Sequence, residues 1–290
     1  MAVRPVDWLL GAYVAFVTGL IVLRGGVGAA TPWILSGHLL FFVLLVLFQR
    51  RPPRGRLGGT LHDLYPLIVL MPFYTELGFL GMEQGAERIF ANDAVVQGWE
   101  QWLFGSQISY QWIRHAPSVF WSGFLHVSYL SYYPLVVVGP ILLTIRGQRP
   151  EAQRVLFTTM MAYVTCYLVF LLFPVAGPNY AFQHPTGPVR DVWSAEAVYA
   201  FLGGGSSIGT AFPSSHVAAT LAAVFALWGE WKWLAAALTV PAALLVVATV
   251  YCQMHYGIDA LAGIAVAVGA AIAGHRIRRH SRDSATSLAF

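Results

Sequence analysis

Two short clusters near the C-terminal end of the chain combine serine, histidine and aspartate in a way that suits phosphate chemistry. The first cluster is the segment 210–220, TAFPSSHVAAT, in which Ser214, Ser215 and His216 follow Pro213. Because proline is favoured at the first position of a helix, we predict that an apolar helix begins at Pro213. The unpaired N–H groups and positive dipole of a helix start attract anions, which predicts phosphate binding by Ser214 and Ser215. The alternative is a structural role, with Ser214 capping the helix.

The second cluster is the segment HYGID, in which His255 and Asp259 are four residues apart. On a helix this spacing places both residues on one face, where the carboxylate can accept the imidazole N–H. An imidazole held in this way keeps a basic second nitrogen, as a nucleophile or a general base requires. A solvated helix cap is the alternative interpretation of this pair.

Together the two clusters predict phosphoryl transfer. We expect His255, oriented by Asp259, to attack phosphorus and form a phosphohistidine, while protonated His216 gives its proton to the departing oxygen. Ser214, Ser215 and nearby backbone N–H groups would hold the phosphoryl oxygens. Water as acceptor would make the protein a phosphatase, and an alcohol would make it a phosphotransferase. We expect no cofactor and no metal, because no set of ligands has suitable spacing.

The composition predicts that these clusters belong to a membrane protein. The chain of 290 residues is 57% hydrophobic and only 10% charged, whereas globular proteins carry about 25% charged residues. The net charge of +4 comes from arginines between apolar segments, which favours membrane lipids over nucleic acid as partners. Cys166 and Cys252 lie in apolar runs and are expected to be free thiols.

Apolar runs of nearly bilayer-spanning length predict an all-α, polytopic membrane bundle of about eight transmembrane helices. The predicted spans are 8–23, 33–48, 64–80, 119–145, 155–173, 214–229, 233–251 and 256–273. We interpret 1–290 as one integral-membrane domain, with N-terminal spans in 1–50, a catalytic bundle in 64–275 and a flexible cytoplasmic tail in 276–290. The tryptophan-rich segment 83–117 is predicted to form an outer interfacial helix, because tryptophan prefers the headgroup layer.

The distribution of basic residues predicts the orientation of the chain. Arginines concentrate in 49–56, 146–154 and 276–282, which lie on the side of the N-terminus if there are eight spans. By the positive-inside rule this side is cytoplasmic, and so are both termini. The starts of the sixth and eighth spans, with His216 and His255, then lie on the extracytoplasmic side, either periplasmic or lumenal.

Three segments carry a resemblance to a known family. FPVAGP at 173–178, AFPSSHVA at 211–218 and HYGIDALAG at 255–263 resemble the signature of the type 2 phosphatidic acid phosphatase superfamily, most of all its inositol phosphorylceramide synthase-like branch. The resemblance implies a six-helix phosphatase-like core. It also implies that the first histidine is the acid, the second the phosphorylated nucleophile and the aspartate its orienter, in agreement with the roles assigned above.

The chain departs from the family's pattern at the residues that hold phosphate. An arginine commonly precedes the nucleophilic histidine by six positions, where this chain has Thr249, and Asn179 stands where bacterial relatives often have arginine. We predict that Arg190 supplies the missing positive charge and that Asn179 also binds phosphate. Arg114 or His126 is the alternative source, and a weaker clamp would suit a phosphodiester.

A substrate pocket is predicted around these segments. It consists of Gly177, Pro178, Tyr180, Glu76, Tyr132 and Tyr133. A carboxylate inside a span is costly and usually has a reason. We therefore expect Glu76 either to lock onto Tyr132 or Tyr133 by a hydrogen bond or to bind an acceptor alcohol.

The sequence leaves three functions open. The leading hypothesis is a lipid phosphotransferase that moves a phosphoalcohol headgroup between lipids at the outer leaflet. The second is a hydrolase of lipid phosphates or isoprenyl diphosphates, which would use the same covalent intermediate. The third, from another class, is a proton-coupled transporter with the two histidines, Asp259 and Glu76 as an intramembrane relay. The oligomeric state is not predicted.

Overall fold

The computed structural model describes residues 4–50, 55–205 and 207–287, with only the backbone described for 56–57, 202–205 and 278–287. In this part of the chain seven segments are long and apolar enough to cross a bilayer. They confirm the predicted all-α membrane bundle. The two cysteines are buried and free, as expected.

The helices follow one another along the whole described chain. In order they are α1 (Pro5–Leu23), α2 (Thr31–Arg50), α3 (Gly55–Glu83), α4 (Ala86–Phe104), α5 (Ile108–His115), α6 (Val119–Leu130), α7 (Tyr132–Ile145), α8 (Arg149–Leu172), α9 (Pro178–Ala181), α10 (Trp193–Gly205), α11 (Ser215–Trp228), α12 (Lys232–Tyr251) and α13 (Gly257–Ser287). The seven spanning segments are α1, α2, α3, α6 together with α7, α8, α12 and the first part of α13.

Helix α11, the predicted sixth span, is apolar but has only 14 residues. It packs against α7, α8, α12 and α13. Its inner face carries the small buried residues Ala218, Ala219, Ala222 and Ala223, which let neighbouring helix backbones come close. His216, in the first turn of α11, is therefore held by a helix that packs against four others.

The predicted fourth span is divided into α6 and α7 at Ser131. The cause is Pro134, which has no N–H to donate to the carbonyl of Leu130 four residues earlier. The break lies among the tyrosines of the YLSYY segment and, as described below, these tyrosines form one wall of a cavity.

The segment 83–117, predicted as one interfacial helix, contains the two helices α4 and α5. Gly105 separates them in a left-handed conformation with a φ of 69°, which glycine adopts without steric cost. Helix α13 runs on to Ser287, so 276–287 is helical where we predicted a flexible tail. No glycine or proline follows Gly274, so nothing in the sequence stops the helix. Residues 288–290 lie outside the described part.

Glu76 forms hydrogen bonds between helices, as one of the two alternatives predicted. Its partners, however, are not the predicted tyrosines, and it does not line the predicted substrate pocket. Its carboxylate accepts the hydroxyl of Tyr13 at 3.0 Å and lies 2.8 Å from Nε2 of His38. These contacts tie α3 to α1 and α2. Tyr132 and Tyr133 line a cavity on the other face of α3, which Glu76 does not reach. Glu76 lies on the face of α3 that is directed toward α1 and α2, so side chains of those helices reach it.

We expect Glu76→Gln to destabilise the protein by about 3 kcal/mol, because it leaves buried His38 without its carboxylate. The measurement is the thermal unfolding midpoint in detergent. Glu83→Gln, which changes an exposed carboxylate at the end of the same helix, is the matched control. Equal midpoints for the two variants would contradict the lock.

Candidate active site

The starts of α11 and α13 lie in direct contact. The backbone N–H of Ser214 donates to the carbonyl of Asp259 at 3.0 Å. Gly263, nearly two turns into α13, permits this approach, since an added Cβ would stand 2.6 Å from the Ser214 carbonyl. This contact brings together His216 at the start of α11 and His255 just before α13.

The two imidazoles meet. Nε2 of His255 lies 3.3 Å from Nδ1 of His216, and the ring centroids are 5.4 Å apart. His255 is only 4% exposed. The residues are distant in sequence but adjacent in space, so one phosphate ester could contact both rings.

A backbone carbonyl orients His255 more directly than the predicted Asp259. Nδ1 of His255 donates to the Ala211 carbonyl at 3.0 Å, whereas Oδ2 of Asp259 lies 3.5 Å from the same nitrogen. That carboxylate oxygen accepts the backbone N–H of Tyr256 at 2.8 Å and so caps α13. Because a carbonyl can only accept, Nδ1 carries the proton in the neutral ring and Nε2 keeps its lone pair toward His216.

Burial also favours the neutral form of His255, which a nucleophile would need. It lowers the pKa of His255 to about 4, and the hydrogen bond to the Ala211 carbonyl opposes only part of this shift. The ring is therefore neutral at physiological pH, with the free lone pair that attack on phosphorus requires.

The two serines differ in role. Oγ of Ser214 accepts the N–H of Val217 at 3.3 Å, and Ser214 is fully buried. Ser214 is thus the cap of the helix, which was the alternative interpretation of this residue. Helix α11 begins at Ser215 and not at Pro213 as predicted. Ser215 faces the site. The backbone N–H groups of Ser215 and His216 have no hydrogen-bond partner among the described residues, so this helix start remains open to an anion.

A small polar pocket and a larger apolar cavity meet at His216. The polar pocket has a volume of about 50 Å³ and is bounded by both histidines. The cavity, of about 220 Å³, lies between α3, α6, α7, α8, α10 and α11. Its wall carries Tyr74, Tyr129, Tyr132, Tyr133, Tyr163 and Tyr167. Tyr74, Tyr129, Ser215 and His216 border both spaces, so the two are adjacent.

The other predicted pocket residues divide between lining and support. Asn179 and Tyr180 line the polar pocket, and Oδ1 of Asn179 is buried without a partner among the described residues. Gly177 and Pro178 directly precede Asn179 and are buried, but they are not among the described residues that line the pocket. Gly177 has a φ of 86°, and an added Cβ would lie 2.7 Å from Cβ of Ala211. The sequence therefore needs glycine there.

The predicted arginine clamp is not found in the described part of the chain. The guanidinium of Arg190 lies over the ring of Tyr199, 4.1 Å from its centroid. Arg114, the alternative, donates to Oε1 of Gln253 at 2.7 Å, and His126 is hydrogen-bonded within α6. Among the side chains that the structure describes, no lysine or arginine lines the pocket or the cavity. Sequence proximity suggested Arg190, but a nearby aromatic face binds it.

Glu100, a buried carboxylate that was not predicted as a site residue, holds the start of α13. Its oxygens accept the N–H groups of Gly257 at 3.1 Å and Ile258 at 2.9 Å. Burial raises the pKa of Glu100, and the backbone N–H donors oppose this shift. The positive end of α13 is thus satisfied by the protein, whereas that of α11 is left open.

A second missed carboxylate, Asp93, lies two turns earlier on α4. It accepts the N–H of Gly177 at 2.7 Å and the hydroxyl of Tyr256 at 2.9 Å, and it is 1% exposed. A signal for both acids was present in the sequence. With Ile89 and Val96 they form the stripe 89, 93, 96 and 100, which is the spacing of one buried helix face.

The fold and the site define an integral-membrane protein with a paired-histidine site suited to phosphate esters. A family model described as the PAP2 superfamily, the type 2 phosphatidic acid phosphatases, matches residues 95–273. The chain belongs to this superfamily. Membership supports a phosphatase-type function on lipid phosphates. No curated protein and no solved structure matches the chain significantly.

We expect Glu100→Gln to lower kcat on a lipid phosphate about tenfold, because one neutral amide oxygen cannot hold both N–H groups near His255. The measurement is steady-state kinetics together with the unfolding midpoint. Glu87→Gln changes an exposed carboxylate on the same helix and should retain wild-type kcat. Similar kcat values for both variants would rule out a positioning effect of Glu100.

We expect the ring signals of His255 to keep neutral-imidazole shifts from pH 7 down to 5 and to change only as the pH approaches about 4. The measurement is NMR of histidine-labelled protein, with the signal assigned by its loss in His255→Gln. Because the folded pKa is lowered, this group's contribution to stability is complete above the ordinary value of about 6.5 and is lost as the pH falls toward 4. A titration midpoint near 6.5 would contradict the effect of burial.

Proposed function

We propose that this protein is a membrane-embedded lipid phosphotransferase or phosphatase acting through a phosphohistidine on His255, with transfer of a phosphoalcohol headgroup as its preferred reaction. The observation that carries the proposal is the 3.3 Å contact between Nε2 of His255 and Nδ1 of His216. This contact lies where a polar pocket meets an apolar cavity. Membership in the PAP2 superfamily supports lipid phosphates as substrates.

In the first step the substrate's phosphoryl group enters between the two rings. The Nε2 lone pair of His255 forms a bond to phosphorus, and the bond from phosphorus to the ester oxygen breaks. Protonated His216 gives its proton to that oxygen, so the alcohol leaves neutral. Ser215 and the open N–H groups at the start of α11 hold the phosphoryl oxygens as their charge changes.

In the second step an acceptor replaces the departed alcohol. Neutral His216 takes the proton of the acceptor hydroxyl while the acceptor oxygen attacks phosphorus, and His255 is released. The chemistry is the same for water and for an alcohol. These steps use the protein's own imidazoles and hydrogen-bond donors and require no metal or cofactor.

The neutral lining of the pocket favours a phosphodiester donor. A diester carries one negative charge, whereas a monoester carries up to two, and no lysine or arginine lines the described pocket. Attack on a diester leaves a phosphoalcohol on His255, and its passage to a lipid hydroxyl is headgroup transfer. This agrees with the resemblance to the inositol phosphorylceramide synthase-like branch.

Hydrolysis of a lipid phosphate or an isoprenyl diphosphate is the second candidate, because the superfamily itself supports a phosphatase-type function. Transport as the sole function has less support. The relay would need Glu76 close to the histidines of the site, but Glu76 bonds to Tyr13 and His38.

We assign the active site to the extracytoplasmic side and both termini to the cytoplasm. The assignment rests on the arginines of 49–56, 146–154 and 276–282 and on the positive-inside rule. The partners are membrane lipids, both as substrates and as acceptor.

We expect the purified protein to convert a headgroup-labelled phospholipid into a new labelled lipid when a lipid alcohol is added, and His255→Ala to abolish this conversion. Quenched reactions should show an acid-labile, base-stable label on His255. His115→Ala removes an exposed histidine and is the control. Release of only water-soluble product under all conditions would exclude transfer, and full turnover by His255→Ala would overturn the mechanism.

A further inference from the structure

Tyr129, the penultimate residue of α6, is a polar partner of His216. Its hydroxyl lies 3.3 Å from Nε2 of His216, and its ring centroid is 5.2 Å from that of the imidazole. Tyr129 is 6% exposed and borders both the polar pocket and the apolar cavity. It therefore contacts the proposed acid at the nitrogen that faces away from His255.

The hydrogen bonds across the site form a chain with one direction. The Ala211 carbonyl can only accept, so Nδ1 of His255 donates to it and Nε2 of the neutral ring must accept. Nδ1 of His216 then donates to His255, which leaves Nε2 of His216 as the acceptor. The hydroxyl of Tyr129 completes the chain as the donor to that nitrogen.

We propose that Tyr129 is a positioning residue for His216 and supports its action as the general acid. This inference rests on the proposed function. When His216 gains a proton on Nε2, the phenol turns its own hydrogen away and accepts the new N–H, since a hydroxyl can both donate and accept. Nδ1 of His216 then stays directed at the ester oxygen before and after it gives up its proton.

Neighbouring tyrosines do not offer this contact. The ring of Tyr132 packs even closer to His216, with centroids 4.4 Å apart, but its hydroxyl is hydrogen-bonded to that of Tyr163. The hydroxyl of Tyr74 is 3.2 Å from Oγ1 of Thr210. Among the described residues, Tyr129 is thus the side chain that meets Nε2 of His216.

The role is specific to one part of the reaction. As His255 attacks, the electron pair of the breaking ester bond moves onto the departing oxygen. Nδ1 of His216 gives that oxygen its proton, and Nε2–H of His216 remains bonded to Tyr129. An alkoxide leaving group needs this proton, whereas a nitrophenolate is stable without it. Loss of the phenol should therefore depend on the leaving group.

The test compares two leaving groups on the same phosphoryl group. Suitable pairs are dioctanoyl phosphatidic acid with p-nitrophenyl phosphate, and dioctanoyl phosphatidylcholine with p-nitrophenyl phosphorylcholine. We expect Tyr129→Phe to lower kcat about tenfold or more on the lipid ester. On the matched nitrophenyl ester the change should stay within about twofold. KM should change little on either.

Two further variants separate this role from a packing effect. Tyr132→Phe keeps its ring against His216 and loses only the bond to Tyr163, so any loss of activity should be equal on both esters. In a His216→Ala background, Tyr129→Phe should cause no additional loss on the lipid ester, because Tyr129 acts through His216.

The outcomes distinguish the inference from the function on which it rests. Equal losses on both esters, or a further loss in the His216→Ala background, would overturn the role of Tyr129 while leaving the phosphohistidine mechanism intact. A wild-type protein that turns over neither pair would overturn the proposed function and this inference together.

Discussion

The contact between the starts of α11 and α13 is the constraint on which the site depends. A hydrogen bond of 3.0 Å joins the backbone N–H of Ser214 to the carbonyl of Asp259, and Gly263 leaves room for it. Because both groups belong to the backbone, the separation of the two helix starts does not depend on a flexible side chain. The two imidazoles can therefore meet in a site that must be rigid to favour one reaction geometry.

The first N–H groups of α13 have hydrogen-bond acceptors in the protein, whereas two of those at the start of α11 do not have one among the described residues. The first N–H groups of α13 are taken by Glu100, and its cap is completed by Asp259. At α11 the hydroxyl of Ser214 satisfies one N–H, and those of Ser215 and His216 have no hydrogen-bond partner among the described residues. Carboxylate side chains thus occupy the start of α13, whereas the start of α11 keeps two open N–H groups, as the proposed binding of a phosphoryl group there requires.

Helix α3, which precedes the family match, connects the site to the first two helices of the chain. One face carries Tyr74 and borders the cavity, while the other carries Glu76 and its bonds to α1 and α2. Packing of the first two helices against one face therefore supports a wall of the cavity on the other. The buried carboxylate of Glu76 thus joins three helices of the bundle through its two hydrogen bonds.

Hydrophobic run length and motif spacing in the sequence were sufficient for the helical membrane bundle and for the two clusters that contain His216 and His255. These features are local, so they can be recognised along the chain. The hydrogen-bond or ring-contact partner of each polar side chain, in contrast, depends on contacts between segments that are distant in sequence. Only the tertiary structure decided that the Ala211 carbonyl orients His255, that Glu100 occupies the start of α13 and that Arg190 lies on Tyr199. A side chain binds the partner that the packed helices bring within reach, and neither sequence proximity nor residue type specifies that partner.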